Sequence, residues 1–528
     1  MRLREGHDLE SHDGSSPTRR SARSQDVQHV HWGTWDSGPI ESYDEAMDRR
    51  ARWAGALGAL VSLVWACGSS SGNGGGGGGG DDGGSSSGAS SSGGGSGSTS
   101  SGGGSGGSSG SSTSSSGAGG SSGGGSSGSS SGSLPSGRSY PDTNAVIALL
   151  VDQLPTMNMA QMQFATSHYV GTEKQVLSVT QQLRALNKNF LVLHYHLCMW
   201  QSGPMTPFIC DGMTWCNDYP TVTMNESWFW HNTNNERVID PDQALLMNVS
   251  VAGFQQYWEQ SLETQVADGQ YDGIMFDSAS PSLLQGWVGG SGMNQDPRLA
   301  GTAAHDTTFA ELGNTTWIDA WQTWIKKLND DLAAKGIPLI PNDGNFITGW
   351  DTTDYTLTSG VFSEGFASTN EAVSDWQAST NYLLKLASLD KIMILQNYLS
   401  STTDLATRMY YLGNYLLVKG HHTYLDYFQA GPLEWYPEWG VDLGAPTTPA
   451  TTDVSTLASG GVYRRDFAKG SVLVNPTSSP VTVTITGNQV VPTGGGAVDS
   501  TGATPGTLST NAVTSVTVGP TTAEIVLH

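Results

Sequence analysis

The sequence predicts an α/β fold: a (β/α)8 TIM-type barrel followed by a small C-terminal antiparallel β domain. Three observations predict it. Between about Tyr140 and Gly460, short apolar runs alternate with longer amphipathic stretches, the pattern of parallel strands joined by crossover helices. Eight strand-like units fit into about 290 residues, the size of such a barrel. After Gly460 the texture changes to short Val/Thr-rich runs separated by turn residues, the pattern of antiparallel strands. A doubly wound open sheet is the structural rival, but no Gly-rich phosphate fingerprint follows the first strand.

Taken in order, Ala145–Val151 reads as the first strand, ending near Asp152. A helical pattern follows over Glu173–Leu186, where Val176, Val179, Leu183 and Leu186 share a face. Asn189–His196 is the second strand, followed by an irregular insert rich in Cys and aromatics up to about Arg237. Val249–Val251 serves as the third strand, and Ala252–Gln265 as a helix with Phe254, Trp258 and Leu262 on one face. Tyr271–Ser278 is the fourth strand, buried on both faces and ending in Asp277. A Gly-rich loop leads to a helix over Thr316–Lys335, striped by Trp317, Trp321, Trp324, Leu328 and Leu332. Pro338–Asn342, Gly360–Ser363, Lys391–Asn397 and His422–Phe428 complete the set, with helices at Ala372–Leu389 and Ala406–Val418. Beyond Gly460, Val462–Phe467 and Ser471–Asn475 flank a hairpin turn at Ala468-Lys469-Gly470. Val481–Thr486, Ser515–Val518 and Glu524–Leu527 follow, giving a β accessory domain over 461–528.

The N-terminal part has another character. Residues 68–139 are almost wholly Gly, Ser and Thr, and account for most of the excess in the 69 glycines. Such a tract buries too little apolar surface to offset its ordering entropy and reads as a disordered linker. Before it, Arg49, Arg50 and Arg52 precede an apolar run, Trp53 to Ala66, that is short for a membrane span and fits a signal sequence. Val64-Trp65-Ala66-Cys67 resembles the lipobox of bacterial lipoproteins, with Trp65 an unusual occupant. That resemblance implies lipidation at Cys67, a membrane anchor and a place in the cell envelope, lipid-anchored or secreted. Met47 lies just ahead of the arginines, so residues 1–46 read as a mis-assigned start or an extra N-terminal segment.

The formal net charge is −24, from 24 basic and 48 acidic residues among 528. This argues against nucleic acid as a partner and suits a neutral or cationic substrate. Of four cysteines, Cys198, Cys210 and Cys216 remain after Cys67. In an exported chain two would pair, Cys210 with Cys216 being favoured and Cys198 with either remaining open. Zinc is the rival use, with His194 and His196 just upstream, but the spacings match no compact zinc module. No cofactor or metal is expected, and the chain is expected to be monomeric.

On a barrel, the strand tips would carry Asp152, His196 with His194 one layer down, Asp277, Asp343, Glu364, Tyr398 and Asp426. Carboxylates crowded at one mouth repel each other and persist when some share protons or meet a ligand. Glycoside hydrolysis asks for such a site, with one carboxyl as acid and another as nucleophile or base. Tyr398, Tyr424 and Asp426 could hydrogen-bond sugar hydroxyls, or serve structure. Asp343, Asp152, His194 and His196 could line the same pocket. Trp200, Trp215, Trp228 and Trp230, in and near the insert, either stack on sugar rings or form a small core. Hydrolases of other bonds lose ground because the sequence from Tyr140 to His528 holds neither a Gly-x-Ser-x-Gly elbow nor a His-Glu-x-x-His zinc site.

The run Tyr271-Asp272-Gly273-Ile274-Met275-Phe276-Asp277 resembles a strand found in several glycosidase-like barrels. Val361-Phe362-Ser363-Glu364-Gly365-Phe366 resembles their later strand. With Glu434-Trp435-Tyr436-Pro437-Glu438-Trp439 and Ser471-Val472-Leu473-Val474-Asn475-Pro476, the chain from about 140 to 528 resembles the hypothetical glycosyl hydrolase family fifteen. That resemblance implies a (β/α)8 barrel with a C-terminal β domain acting on an oligo- or polysaccharide. A more distant similarity, to α-galactosidase-type barrels, implies Asp277 as nucleophile and Glu364 as acid/base, although Glu stands where that clan has Asp. The amylase-type pattern would instead pair Asp277 with Asp343. A non-catalytic carbohydrate-binding barrel is the alternative function.

Overall fold

Short, fully buried runs with apolar residues on both faces form a parallel sheet system, and their register positions the candidate site. The structure is a computed structural model that describes residues 137–201, 219–240, 244–266, 269–281, 284, 294–343, 354–429 and 431–528. Cys67, the signal-like run, nearly all of the Gly/Ser tract, Cys210, Cys216, Trp215 and part of the Gly-rich loop lie outside the described residues.

The parallel strands are β1 (Leu150–Val151), β2 (Gly171–Thr172), β3 (Leu191–Val192), β4 (His194–Leu197), β5 (Ile274–Asp277), β6 (Leu339–Pro341), β7 (Gly360–Glu364), β8 (Ile392–Tyr398) and β9 (Thr423–Phe428). Only Leu193 separates β3 from β4, so these two are one extended run. Its N–H donates to Thr172 on one side (3.0 Å), and the next N–H, of His194, donates to Gly273 on the other (2.9 Å). Hydrogen bonds draw three parallel three-stranded sheets, in the orders β1–β2–β3, β6–β5–β4 and β7–β8–β9. A single parallel bridge, Asn342 to Phe362, continues from the end of β6 to β7, and another, Leu149 to Leu425, sets the start of β1 beside β9. The class is α/β, as expected. Among the described residues the hydrogen bonds do not form one unbroken ladder around eight positions, several of the strands being only two or three residues long.

Helices alternate with these strands: α1 (Met159–His168), α2 (Leu177–Leu186), α3 (Ala252–Val266), α4 (Trp317–Ala333), α5 (Val373–Ser388) and α6 (Leu405–Val418). The Thr316 side chain caps α4 by accepting from Asp319 N–H, which satisfies one of the free donors of a helix start. The face of α4 that carries Trp317, Trp321, Trp324, Leu328 and Leu332 is buried. Trp324 meets Phe254 of α3 and Phe276 of β5.

Two expectations in the first half change. Val249–Val251 is not a strand; Asn248 Oδ1 accepts from Ser250 N–H and turns the backbone there, a local bond that competes with a ladder. The element missed is β2 with the preceding helix α1, whose start is fixed by a reciprocal Asn158–Gln161 capping box. The helix expected from Glu173 begins at Leu177 instead, so Glu173 and Lys174 stand at the tip of β2.

The C-terminal strands form one antiparallel sheet in the order Ala458–Ser459, Val462–Phe467, Gly470–Asn475, Thr522–Leu527, Val481–Thr493, Thr507–Val518. The expected hairpin is present, with Phe467 opposite Gly470. Two strands run well past their expected ends as a long, Thr-rich ribbon. Helix α6 packs closely on this sheet, and a Cβ at Gly413 would overlap the Ala523 side chain, so only glycine allows that approach.

Candidate functional site

Parity along the strands decides what faces the site. Ile274 and Phe276 of β5, Leu339 of β6, Val361 of β7, and Met393 and Leu395 of β8 belong to the core that also holds the helix residues. The alternate residues Met275, Ile340, Phe362 and Ile394 are buried outside that core, on the opposite face of the strands. Asp277, Asn342, Glu364 and Gln396 continue this second set by one step toward the C-terminal ends. Carboxyl and amide groups therefore gather at the ends where parallel sheets keep their chemistry.

Asn342 ties the pair together. Its Nδ2 donates to Asp277 Oδ1 at 2.7 Å and to Glu364 Oε2 at 2.8 Å. Two oxygens held on one nitrogen lie no more than about 5.5 Å apart, near the spacing of a retaining carboxyl pair. Asp277 Oδ2 accepts from Tyr195 OH at 2.5 Å. Glu364 Oε1 accepts from Tyr398 OH at 2.7 Å, and that hydroxyl accepts in turn from Gln396 Nε2 at 3.0 Å. Asp277 is thus held entirely by uncharged donors among these contacts, and so is Glu364.

The electrostatics separate the two carboxyls. Burial, and then the Asp277 charge, raise the pKa of Glu364 above the usual carboxylate range; Lys174 and the Tyr398 and Asn342 hydrogen bonds only partly offset this. Burial first, and Asp277 second, push the Tyr195 phenol well up, and burial with Glu364 does the same for Tyr398. Both phenols keep their protons and remain donors. Buried Lys174 loses hydration, but Asp152, Glu173 and Asp277 outweigh that loss and raise its pKa, so it stays an ammonium.

A second group adjoins the first. Lys174 Nζ pairs with Asp152 at 2.8 Å and lies 5.0 Å from the Tyr195 ring centre. Asp152 N–H donates to Asp426 Oδ2 at 2.9 Å. Burial raises the Asp426 pKa well above its usual value, and it does the same to Glu173, whose buried carboxyl oxygens have no hydrogen-bond partner.

Of the residues expected at the strand tips, Asp277, Glu364 and Tyr398 come together directly, and Asp152 with Asp426 form the adjoining group. Other placements differ. His194 and His196 sit on the helix-facing side, 5.2 Å from the Tyr271 ring and 4.8 Å from the Trp258 ring respectively; Tyr195 between them takes the inward place. Asp343 is buried and its N–H donates to Phe362 O, but Asn342 is the β6-end residue that bridges the carboxyl pair. Tyr424 lies two residues below Asp426, with its hydroxyl donating to Pro141 O at 2.8 Å, so it anchors the start of the folded chain. Trp200 and Trp230 are fully buried, and Trp230 packs edge-on against Trp317. Among the described residues, no group of three or more His, Cys, Asp or Glu is placed to hold a metal.

Tyr195, Asn342, Glu173 and Lys174 were not legible as site residues. Tyr195 needs the strand parity, Asn342 shows only as a strand end, and Glu173-Lys174 fall in a run with a helical pattern. The usable signal was the spacing Asn342 to Glu364, which sets both at the ends of neighbouring strands.

No curated protein matches the chain at a significant level. Among solved structures, the chain aligns with a noncanonical maltogenic α-amylase, AmyB, of Thermotoga neapolitana at 9% identity and a TM-score of 0.36, over 72% of this chain and 99% of that one. It aligns with the pullulanase of Bacillus acidopullulyticus at 9% identity and 0.33, over 74% of this chain and 61% of that one. With the GH36 α-galactosidase AgaA of Geobacillus stearothermophilus the values are 11% and 0.33, over 73% and 56%. The chain thus spans somewhat more than half of the latter two, and likenesses this weak carry no argument about activity. The sequence itself is decisive at the family level: more than half of the chain, residues 184–471, matches one family model, and the chain belongs to the hypothetical glycosyl hydrolase family 15.

Proposed function

We propose that the protein hydrolyses glycosidic bonds of an oligo- or polysaccharide with retention of configuration, using Asp277 as nucleophile and Glu364 as acid/base. One observation carries this reading: a single amide nitrogen, Asn342 Nδ2, spans both carboxyls. Retaining pairs stand about 5–5.5 Å apart, whereas inverting pairs need about 6.5–9.5 Å to admit water. Family membership supports the reaction class.

The steps follow from the electrostatics. Protonated Glu364 gives its proton to the glycosidic oxygen as the bond to the leaving sugar breaks. Asp277 attacks the anomeric carbon and forms a glycosyl ester. Glu364, now ionised, takes a proton from water; the water oxygen attacks the same carbon and Asp277 is released. Tyr195 and Asn342 position Asp277, and the Lys174 ammonium adds positive charge nearby. Loss of the Asp277 charge in the ester lowers the pKa of Glu364, which suits its change from acid to base.

The same reading takes the eight strand positions as a (β/α)8 barrel over 140–460 and the C-terminal sheet over 461–528 as its accessory domain. It keeps Cys67 as the lipid attachment, the Gly/Ser tract as a tether, and a monomeric enzyme in the cell envelope. The test is a glycan panel read by released reducing ends, with proton NMR of the first anomer formed. Retained configuration by the wild-type chain, absent in Asp277→Asn and Glu364→Gln, supports the mechanism. The opposite anomer would sink retention, and binding without release from any glycan would leave a carbohydrate-binding protein.

A further inference from the structure

Beside the carboxyl pair lies an open recess between the tips of β1 and β9, its walls including Asp152, Tyr169, Asp426, Phe428, Glu434 and Trp439. The register places it. Glu364 pairs with Gln396, and Gln396 with Asp426, so Asp426 stands two strands from the acid/base in the same layer. At about 4.8 Å per strand the offset is roughly 10 Å, within reach of a sugar ring or two along a glycan that starts at the carboxyl pair.

The recess holds buried polar atoms with nothing to bond among the described residues. Glu434 Oε2 accepts from Gln429 N–H at 2.9 Å and Tyr436 OH at 2.7 Å, while Oε1 is buried and unpartnered. Trp439 Nε1 is a buried donor without an acceptor. Burial pushes the Glu434 acid up to about 7 and raises Asp426. Lys174, whose charge lowers the Asp426 pKa, is already engaged by Asp152, and Arg408, over the Tyr436 ring, is engaged by Glu438. The orphaned Glu434 acceptor, gathered with the Asp152 and Asp426 carboxyls and aromatic walls, suits a cationic donor.

We propose that this recess is a subsite for a sugar carrying a free amine, bound as its ammonium against Glu434 and Asp426, with an adjacent hydroxyl accepting from Trp439. The inference rests on the glycosidase reading and narrows its substrate to amino-sugar glycans. A neutral hexose would satisfy the hydrogen bonds but not the charge, and an N-acetylated sugar would bring bulk and no cation.

The test measures binding by calorimetry of glucosamine and galactosamine oligosaccharides, each as free amine and N-acetylated, to the full chain carrying Asp277→Asn. At least one free-amine ligand should bind about 10-fold more tightly than its acetylated form, a difference of about 1.4 kcal/mol. That preference should fall to about 2-fold or less with Glu434→Gln added, while thermal unfolding confirms that this variant folds. Equal or tighter binding of both acetylated forms, or a preference that survives Glu434→Gln, would overturn the subsite. Amine preference that depends on Glu434, in a wild-type chain that cleaves no glycan, would keep the subsite and reject the glycosidase reading. Cleavage of neutral glycans without amine preference would do the reverse.

Discussion

Asp272 and Asp277 lie five residues apart on one run of chain, both buried, and they live in opposite electrostatic worlds. Asp272, at the N-terminal end, meets two guanidiniums, Arg138 at 2.7 Å and Arg184 at 2.6 Å, and also accepts from Val192 N–H at 2.8 Å. Its charge is answered twice. Asp277, at the other end, has a phenol and an amide as its hydrogen-bond donors. A buried carboxylate clamped by arginines organises structure, because removing it strands those cations. A buried carboxyl held only by neutral donors has no bonded cation to compete with a reacting carbon for its oxygens. The same residue type on one run of chain thus serves stability below and chemistry above, and the partners decide which.

The comparison can be broken at its strongest point first. Asp277→Asn or Glu364→Gln should each lower kcat by about 10³-fold or more on a cleaved glycan, with unfolding midpoints close to wild type. If either variant unfolds readily while the remaining folded fraction keeps full activity, the upper carboxyls are structural. Asp272→Asn should do the reverse. Chemical denaturation should register a loss of about 3–5 kcal/mol, as for other broken buried pairs, with kcat per folded molecule nearly unchanged.

Protonation sharpens the contrast further. Because the folded pKa of Glu364 is raised, its acid form persists above the usual carboxylate range. Activity should fall as pH rises through that raised value. The same sign applies to stability: the contribution is complete below the unfolded pKa and is lost as pH climbs through the folded one. For Glu434 that window runs from 4.5 to about 7, and Glu434→Gln should flatten the stability profile there in denaturation series. The smallest effect belongs to Tyr398→Phe. The Tyr398 hydrogen bond lowers the Glu364 pKa, so its removal should move the alkaline limb of kcat/KM upward by about a unit or less. A downward shift would mean that Tyr398 does not donate to Glu364.

Much of this was legible because local rules act on local sequence. The run Ile274-Met275-Phe276 could only be a strand buried on both faces, and its carboxylate end fell at a tip. Gly360–Glu364 followed the same logic, and the Ala468-Lys469-Gly470 turn marked its hairpin. What escaped was short or depended on parity. A two-residue strand, Gly171–Thr172, carries no periodicity to detect, so Glu173 and Lys174 were assigned to a helix. His194-Tyr195-His196 alternates correctly, but alternation alone does not say which face turns inward when both are buried. Only pairing with β5 settled that: Tyr195 lies opposite Met275 and sends its hydroxyl to Asp277.

The sequence by itself determined the order of strands and helices, the carboxyls at their ends, the family, and the change to antiparallel texture after Gly460. These follow from hydrophobic period, turn chemistry and motif, each contained within a few residues. The tertiary structure alone decided that Asn342 joins Asp277 to Glu364, that Arg138 and Arg184 converge on Asp272, and that Glu434 is left with an unanswered oxygen beside Asp426. The hydrogen bonds on Asp277, Glu364 and Asp272 among these join residues from 22 to 134 positions apart. Hydrogen bonds and buried charges depend on distance in space, which a linear pattern does not encode until the strands are in register.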